Sequence, residues 1–244
     1  MLTMAFEPFQ QLLRSLQGKK QARGLGDVKN LQHIAFLRNL QKETYKPDEM
    51  TIPLSQIELV VFDIETTGFC PEKGDTILSI GAVKMVGTTI LEQVTFYSLL
   101  NMEKAVPTHI TKLTGITSEN ILAAPTASDV LIQFFEFAKG STLVAHHAHH
   151  ERSFMKYASQ HYFHTPFEQR IVDTSFLFKA IDPQLQLINL EDYCAYHHIP
   201  IVNRHHALGD ARLTAILWSL YTQRAITMGL EHLQDVYNHF AAHK

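Results

Sequence analysis

From Ile57 the chain reads Ile57-Glu58-Leu59-Val60-Val61-Phe62-Asp63-Ile64-Glu65, apolar and β-branched, and it stops at Thr66-Thr67-Gly68. That pattern predicts a strand. Thr76 to Val86 and Ile90 to Leu100 read as two more, joined by a turn around Gly87, and three strands with such short connections predict an antiparallel meander. The period then changes. Thr126 to Ala138 sets Val130, Leu131, Phe134, Phe135 and Phe137 at helical spacing behind a capping Thr126 or Ser128,. Ser141 to Ala145 reads as a short strand, followed by a helical pattern through Phe154, Met155 and Tyr157. Ile171 to Asp173 is a last short strand among helices, the longest running from about Ala207 to Met228, and Leu230 to His243 adds a terminal helix. Strands first, then strand–helix alternation, predict an α/β fold with a mixed five-stranded sheet flanked by helices.

Upstream the pattern differs. Phe6, Phe9, Leu12, Leu13 and Leu16 recur at helical spacing, as do Leu31, Ile34, Leu37 and Leu40, with the basic, glycine-punctuated run Gly18 to Gly26 between them,. The expectation is a helical N-terminal extension over residues 1–50 that packs on the main domain. The alternative is an arm that touches phosphates through Lys19, Lys20 and Arg23. Pro47 and Pro53 bracket a linker, so the expected division is 1–50, a main domain over 51–228 and a C-terminal helix over 229–244.

Apolar residues make up 45% of the chain and charged residues 18%, the balance of a folded globular protein rather than a disordered one. No uninterrupted apolar stretch approaches the roughly 20 residues that cross a bilayer, so no membrane partner is expected. The first residues lack the basic-then-apolar layout of a secretion signal. Cys70 and Cys194 cannot build a disulfide framework and fit no zinc-ligand spacing,, which points to a reducing, cytoplasmic location. A net charge of −3 argues against a protein that coats long duplex DNA by neutralising phosphates. It does not argue against one that holds only a strand end, where bound metal ions supply positive charge.

Asp63 and Glu65 stand two apart on an otherwise apolar strand, so both side chains leave the same face,. Two carboxylates on one face repel unless a cation lies between them, and oxygen-only ligands suit Mg²⁺ or Mn²⁺. The competing explanation is an edge strand with a wet polar face. Phe62-Asp63-Ile64-Glu65-Thr66-Thr67-Gly68 resembles the first motif of the DEDDh exonucleases, the family of the proofreading epsilon subunit of bacterial DNA polymerase III. Ile77 to Val83 resembles that family's second strand, Leu113-Thr114-Gly115-Ile116 its substrate-side loop, and Asp173-Thr174 its Asp-Thr step. His205-His206-Ala207-Leu208-Gly209-Asp210-Ala211 resembles its third motif, with a histidine five residues before the aspartate. The resemblance covers roughly Ile57 to Leu220, in the right order. It implies a ribonuclease H-like fold and 3′→5′ exonuclease chemistry releasing nucleoside 5′-monophosphates. Asp63, Glu65, Glu151 and Asp210 would hold two Mg²⁺ or Mn²⁺ ions, and His205 would accept the proton of the attacking water. Thr66, Phe69 and Leu113 would contact the terminal nucleotide. Nucleic-acid 3′ ends, single-stranded or frayed, are the implied partner, and a DNA polymerase is open as a second.

The second motif departs from the family. Where members read Ala-His-Asn, two residues, then Phe-Asp, this chain has Ala145-His146-His147-Ala148-His149-His150-Glu151. His147 replaces the asparagine, His150 the phenylalanine and Glu151 the aspartate, which keeps the charge but adds a methylene and a rotor. Imidazoles bind transition metals, so the histidine run is a rival metal site. It spans a predicted strand end and helix start, which would scatter the rings into supporting roles. Two other functions stay open: a catalytically weak or inactive nuclease-fold module that binds strand ends or a polymerase, and an RNA-trimming exoribonuclease. Gln184-Leu185-Gln186-Leu187-Ile188 superficially resembles a sliding-clamp peptide, although leucines inside a folded region are expected in the core.

Overall fold

The computed structural model describes residues 49–243. The extension expected over 1–50, with its helical pair and the basic run carrying Lys19, Lys20 and Arg23, lies outside the described residues except for its last two.

Three strands form the expected meander: β1 (Glu58–Thr66), β2 (Ile77–Val86) and β3 (Thr89–Leu99). Gly87 turns the β2–β3 hairpin at φ 57°, a left-handed conformation that glycine adopts without steric cost. β4 (Thr142–Ala145) and β5 (Ile171–Asp173) then join parallel to β1, giving one five-stranded sheet in the order β3-β2-β1-β4-β5. The sheet is mixed, as the pattern predicts, and β1 lies at its centre. That position rules out the wet edge strand as the reason for two carboxylates on β1.

Each sheet face is covered by helices. Val60, Phe62 and Ile64 of β1 pack with α3 (Ala127–Phe137) and α4 (His149–Phe163). Leu59 and Val61, on the opposite face, pack with α5 (Thr174–Ile181), α6 (Leu190–Tyr196), α7 (Ala207–Thr227) and α8 (Leu233–Ala242). Alternation along the strand therefore puts Asp63 and Glu65 on the α7 side. Thr126 is the α3 cap, its hydroxyl accepting from the Asp129 amide at 3.3 Å. α8 packs onto α5, Tyr237 stacking on Phe176 at 4.0 Å, and Leu233 and Val236 are buried in the shared core. Among the described residues, no helix is long and apolar enough to cross a membrane.

Between β3 and α3 the chain forms α1 (Thr108–Thr114) and α2 (Ser118–Leu122), which the sequence pattern does not mark as helices. They are one to two turns long, and α1 is rich in β-branched threonine, so neither propensity nor periodicity signals them. Their stability comes from a small separate core of Leu78, Met102, Val106, Ile110, Ile116 and Ile121.

The start of α7 rests directly on the sheet at Gly81. A β-carbon there would lie 2.0 Å from the Leu208 amide nitrogen and 2.3 Å from the Ala207 carbonyl carbon. Both are backbone atoms that cannot rotate away. Gly81→Ala should therefore destabilise the protein by about 1–3 kcal/mol or more and push the first turn of α7 off the sheet. Urea unfolding measures this; wild-type stability would show that the helix start moves freely.

Candidate active site

Asp63 and Glu65 leave the C-terminal end of β1, and Asp210 sits in the first turn of α7. One carboxylate oxygen from each lies within 4.8 Å of the others. Two glycines allow this approach: Gly81 admits the helix start to the sheet, and Gly209 lets the preceding loop fold back, since a β-carbon there would lie 2.2 Å from the Asn203 carbonyl oxygen. Asp210 is 2% exposed. Its Oδ2 accepts from the Arg204 guanidinium and from the His205 amide at 3.1 Å, while its buried Oδ1 has no protein partner.

Glu151 stands in the first turn of α4, buried, with Oε2 lacking a protein partner. It is not part of the tight three-carboxylate group, yet its charge acts directly on Asp63. The Asp173 carboxylate holds this end of the molecule together. Its Oδ1 caps α5 through Ser175, and its Oδ2 accepts from the Ala148 amide at 3.1 Å, fixing the start of α4 and so Glu151.

The electrostatics follow from crowding acids in a pocket. Asp63 keeps some accessible surface but is packed closely around. Burial, then the charges of Glu151, Asp210 and Glu65, push its carboxyl well above the ordinary range. Burial followed by the Asp210 charge raises Glu65 to about 7. Burial raises Glu151 to about 8, with a smaller push from Asp173. Asp210 is raised by burial against the opposing pull of Arg204. Such a group must either hold protons or surround a cation. An oxygen-only donor set with two orphaned buried oxygens fits a hard divalent cation.

His205 has a left-handed backbone, φ 61°, uncommon for a residue with a side chain, and its amide points at Asp210. His206 stacks on Tyr97 at 4.4 Å, and Tyr97 in turn lies close enough to Glu65 to feel its charge. Arg204, His206 and Tyr97 were not singled out from sequence. Arg204 had one signal, a fixed cation beside an acidic motif; Tyr97 had none, because its role depends on strand pairing.

Thr66, Phe69 and His150 come together at the end of β1. The Thr66 hydroxyl donates to the Gly68 carbonyl at 2.7 Å and lies 3.3 Å from His150 Nε2. Phe69 is 86% exposed, touching His150 edge-on at 5.6 Å, and His150 packs on Phe154 at 4.8 Å. Such exposure excludes core packing as the reason for Phe69. Leu113 is half-exposed on α1, a separate element.

The histidine run scatters, as the strand-to-helix transition predicts. His146 Nδ1 pairs with the Thr174 hydroxyl at 2.7 Å, and His146 and His147 both direct Nε2 at the Ile188 carbonyl, 3.1 and 2.8 Å away. Burial, with the neighbouring His147, pushes His146 down to about 4, so it acts as a neutral anchor. The Gln184–Ile188 run is part of the same anchorage, with Leu185 and Leu187 packed against the core. Among the described residues, the group with metal-ligand geometry is the carboxylate one.

A mixed five-stranded sheet flanked by helices, with carboxylates gathered beside its central strand, is an α/β fold built around one acidic site. The RNase T family model, described as Exonuclease, matches residues 60–218, and the chain belongs to that family. It is 34% identical over 179 residues to a DNA polymerase III of PolC type from Caldanaerobacter subterraneus subsp. tengcongensis, covering 73% of this chain. The chain spans only 12% of that polymerase's length. The DEDDh nuclease domain of 3′hExo bound to rAMP has a similar fold, with a TM-score of 0.62 at 18% identity over 72% of this chain and 95% of that one. E. coli exonuclease I in complex with a dT13 oligonucleotide does too, with a TM-score of 0.62 at 14% identity over 71% of this chain and 43% of that one.

The raised carboxyls set a pH dependence. An acid whose pKa rises on folding binds protons more tightly in the folded state. Its contribution is therefore full below the unfolded value and is lost as pH climbs through the folded one. For Glu151 that window runs from 4.5 to about 8. In chelator, the metal-free protein should lose stability progressively as pH rises through that window, up to about 8,. Glu151→Gln should flatten that decline and exceed wild type at the upper end in urea melts. An equally steep decline in the variant would show that Glu151 is not the group titrating.

Proposed function

We propose that the chain is a metal-dependent 3′→5′ exonuclease that shortens nucleic-acid strands and releases nucleoside 5′-monophosphates. The observation that carries this reading is the convergence of Asp63, Glu65 and Asp210 from two distant segments to within 4.8 Å, beside a fourth buried carboxylate, Glu151. These four side chains would hold two Mg²⁺ or Mn²⁺ ions. When bound, such ions supply Lewis-acid activation of water and charge neutralisation of the phosphate.

The chain's own groups have separable tasks. The His205 imidazole accepts the proton of the attacking water. The water oxygen bonds to the terminal phosphorus as the bond to the penultimate 3′ oxygen breaks, and that oxygen takes a proton from solvent, leaving a shortened strand with a free 3′ hydroxyl. The Thr66 backbone receives the terminal 3′ hydroxyl, and Phe69 and Leu113 flank the last base. The exposure of Phe69 supports a stacking role, which is tolerant of base identity. With no side chain assigned to base edges, cleavage is independent of sequence. Single-stranded or frayed 3′ ends are the substrate class. The polymerase relatives support a DNA polymerase as partner, and the rAMP-bound relative keeps RNA within the substrate range. Glu151, standing outside the three-carboxylate group, favours a second reading, a weakly active or inactive module that holds strand ends.

A 5′-labelled oligonucleotide incubated with Mg²⁺ or Mn²⁺ separates the two. The nuclease reading expects a ladder shortening from the 3′ end, and losses of about 100-fold or more in Asp63→Asn, because the neutral amide removes a carboxylate that would hold the ions and misplacement of the reacting groups by an ångström costs that much. Unchanged activity in that variant would refute the site. His205→Ala should slow cleavage by roughly 10²–10⁴-fold while Mn²⁺ still binds. Glu151→Asp, restoring the family's residue, should preserve or raise the rate. Rates on matched DNA and RNA strands assign the substrate.

A further inference from the structure

The geometry points to Arg204 as the positioning residue of the carboxylate group: a guanidinium anchored on Glu191 that clamps one oxygen of Asp210 and thereby reserves the other for a cation. This deepens the nuclease reading and rests on it. Arg204 Nε donates to Glu191 Oε1 at 2.7 Å, and its Nη1 donates to Asp210 Oδ2. One planar group thus spans α6 and α7. Its Asp210 partner has a side chain only 3% exposed, whereas Glu191 is 39% exposed. The pair to Asp210 is therefore not a solvent-screened surface contact, and Glu191 is the outer tether.

The division of labour between the two Asp210 oxygens is the decisive feature. Oδ2 receives two donors, Arg204 and the His205 amide at 3.1 Å, while Oδ1 is buried with no protein partner. A carboxylate torsion is otherwise broad and two-fold. Two donors converging on one oxygen stop that rotation and leave the second oxygen buried and without a protein donor. Arg204 also adds the favourable charge that works against the mutual repulsion of Asp63 and Glu65. A lysine could bring the charge but not the fork that reaches two carboxylates at once.

Isothermal titration of the whole protein with Mn²⁺, alongside thermal melts in chelator and in saturating Mn²⁺, tests the assignment. Wild type should bind Mn²⁺, and Arg204→Gln should bind it about 10–100-fold more weakly, the usual cost of removing a group that orients a metal ligand. Arg204→Lys should fall between them. Glu191→Gln, which keeps the Arg204 charge beside Asp210 but reduces the tether to a neutral acceptor, should weaken binding in the same direction by less, and it carries the test if Arg204→Gln does not fold. A purely structural role would lower the melting temperature equally with and without Mn²⁺; a positioning role shrinks the gain that Mn²⁺ confers. Equal or tighter Mn²⁺ binding in Arg204→Gln overturns the inference, tighter binding meaning that the guanidinium competes with the ion. Wild type failing to bind Mn²⁺ would overturn the nuclease reading as well.

Discussion

Four carboxylates share one corner of this molecule, and their mutual repulsion is the constraint that organises it. Asp63 and Glu65 are fixed on a central strand, Asp210 is pressed against them by α7, and Glu151 approaches from α4. Burial first, and for Asp63 the charges of Glu151, Asp210 and Glu65 as well, holds Asp63 and Glu151 well above the ordinary carboxylate range,. A fold that existed only for stability would avoid such a cluster, because uncompensated buried charge opposes folding.

The surrounding structure keeps the acids together in spite of that repulsion. Gly81 removes the side chain that would hold α7 away, and Gly209 lets the Asn203 loop turn back. Asp173 pins the start of α4 through the Ala148 amide. Arg204 supplies a fixed positive charge from the solvent side and ties α6 to α7. Gly81 acts from the middle of β2, and the other devices act beside helix starts, where backbone amides are free to donate,. The histidine run serves the same end: its two leading rings fasten the Ile188 loop, while His150 turns toward Thr66 and Phe69.

Membership of the RNase T exonuclease family accounts for the order of the motifs, and two of the three departures in the second motif bear on the site. Glutamate in place of aspartate at position 151 lengthens one arm of the carboxylate group, and the longer arm stands outside the tight set. Histidine at position 150 puts an imidazole, rather than a plain hydrophobic ring, beside the proposed terminal-nucleotide site. Both residues lie on the first turn of α4.

Much of the architecture was legible in the residue pattern alone. Alternation and β-branching marked all five strands, and the run from Ala207 marked the long helix, because a buried strand or helix face needs apolar residues at a fixed period. Asp63 and Glu65 were legible as a pair for the same kind of local reason, since residues two apart on a strand share a face, whereas Asp210 was legible only through the resemblance of its motif to the family's. Periodicity did not reveal α1 and α2, whose few residues gain stability only from contacts made across the fold. It did not reveal that Arg204 bridges Glu191 and Asp210, that Tyr97 stacks on His206, or that Glu151 stands apart from the other three acids. Those facts depend on distances between elements far apart in the chain. Such distances are set by how helices settle on a sheet, through approaches as close as that at Gly81, and a local pattern holds no record of them.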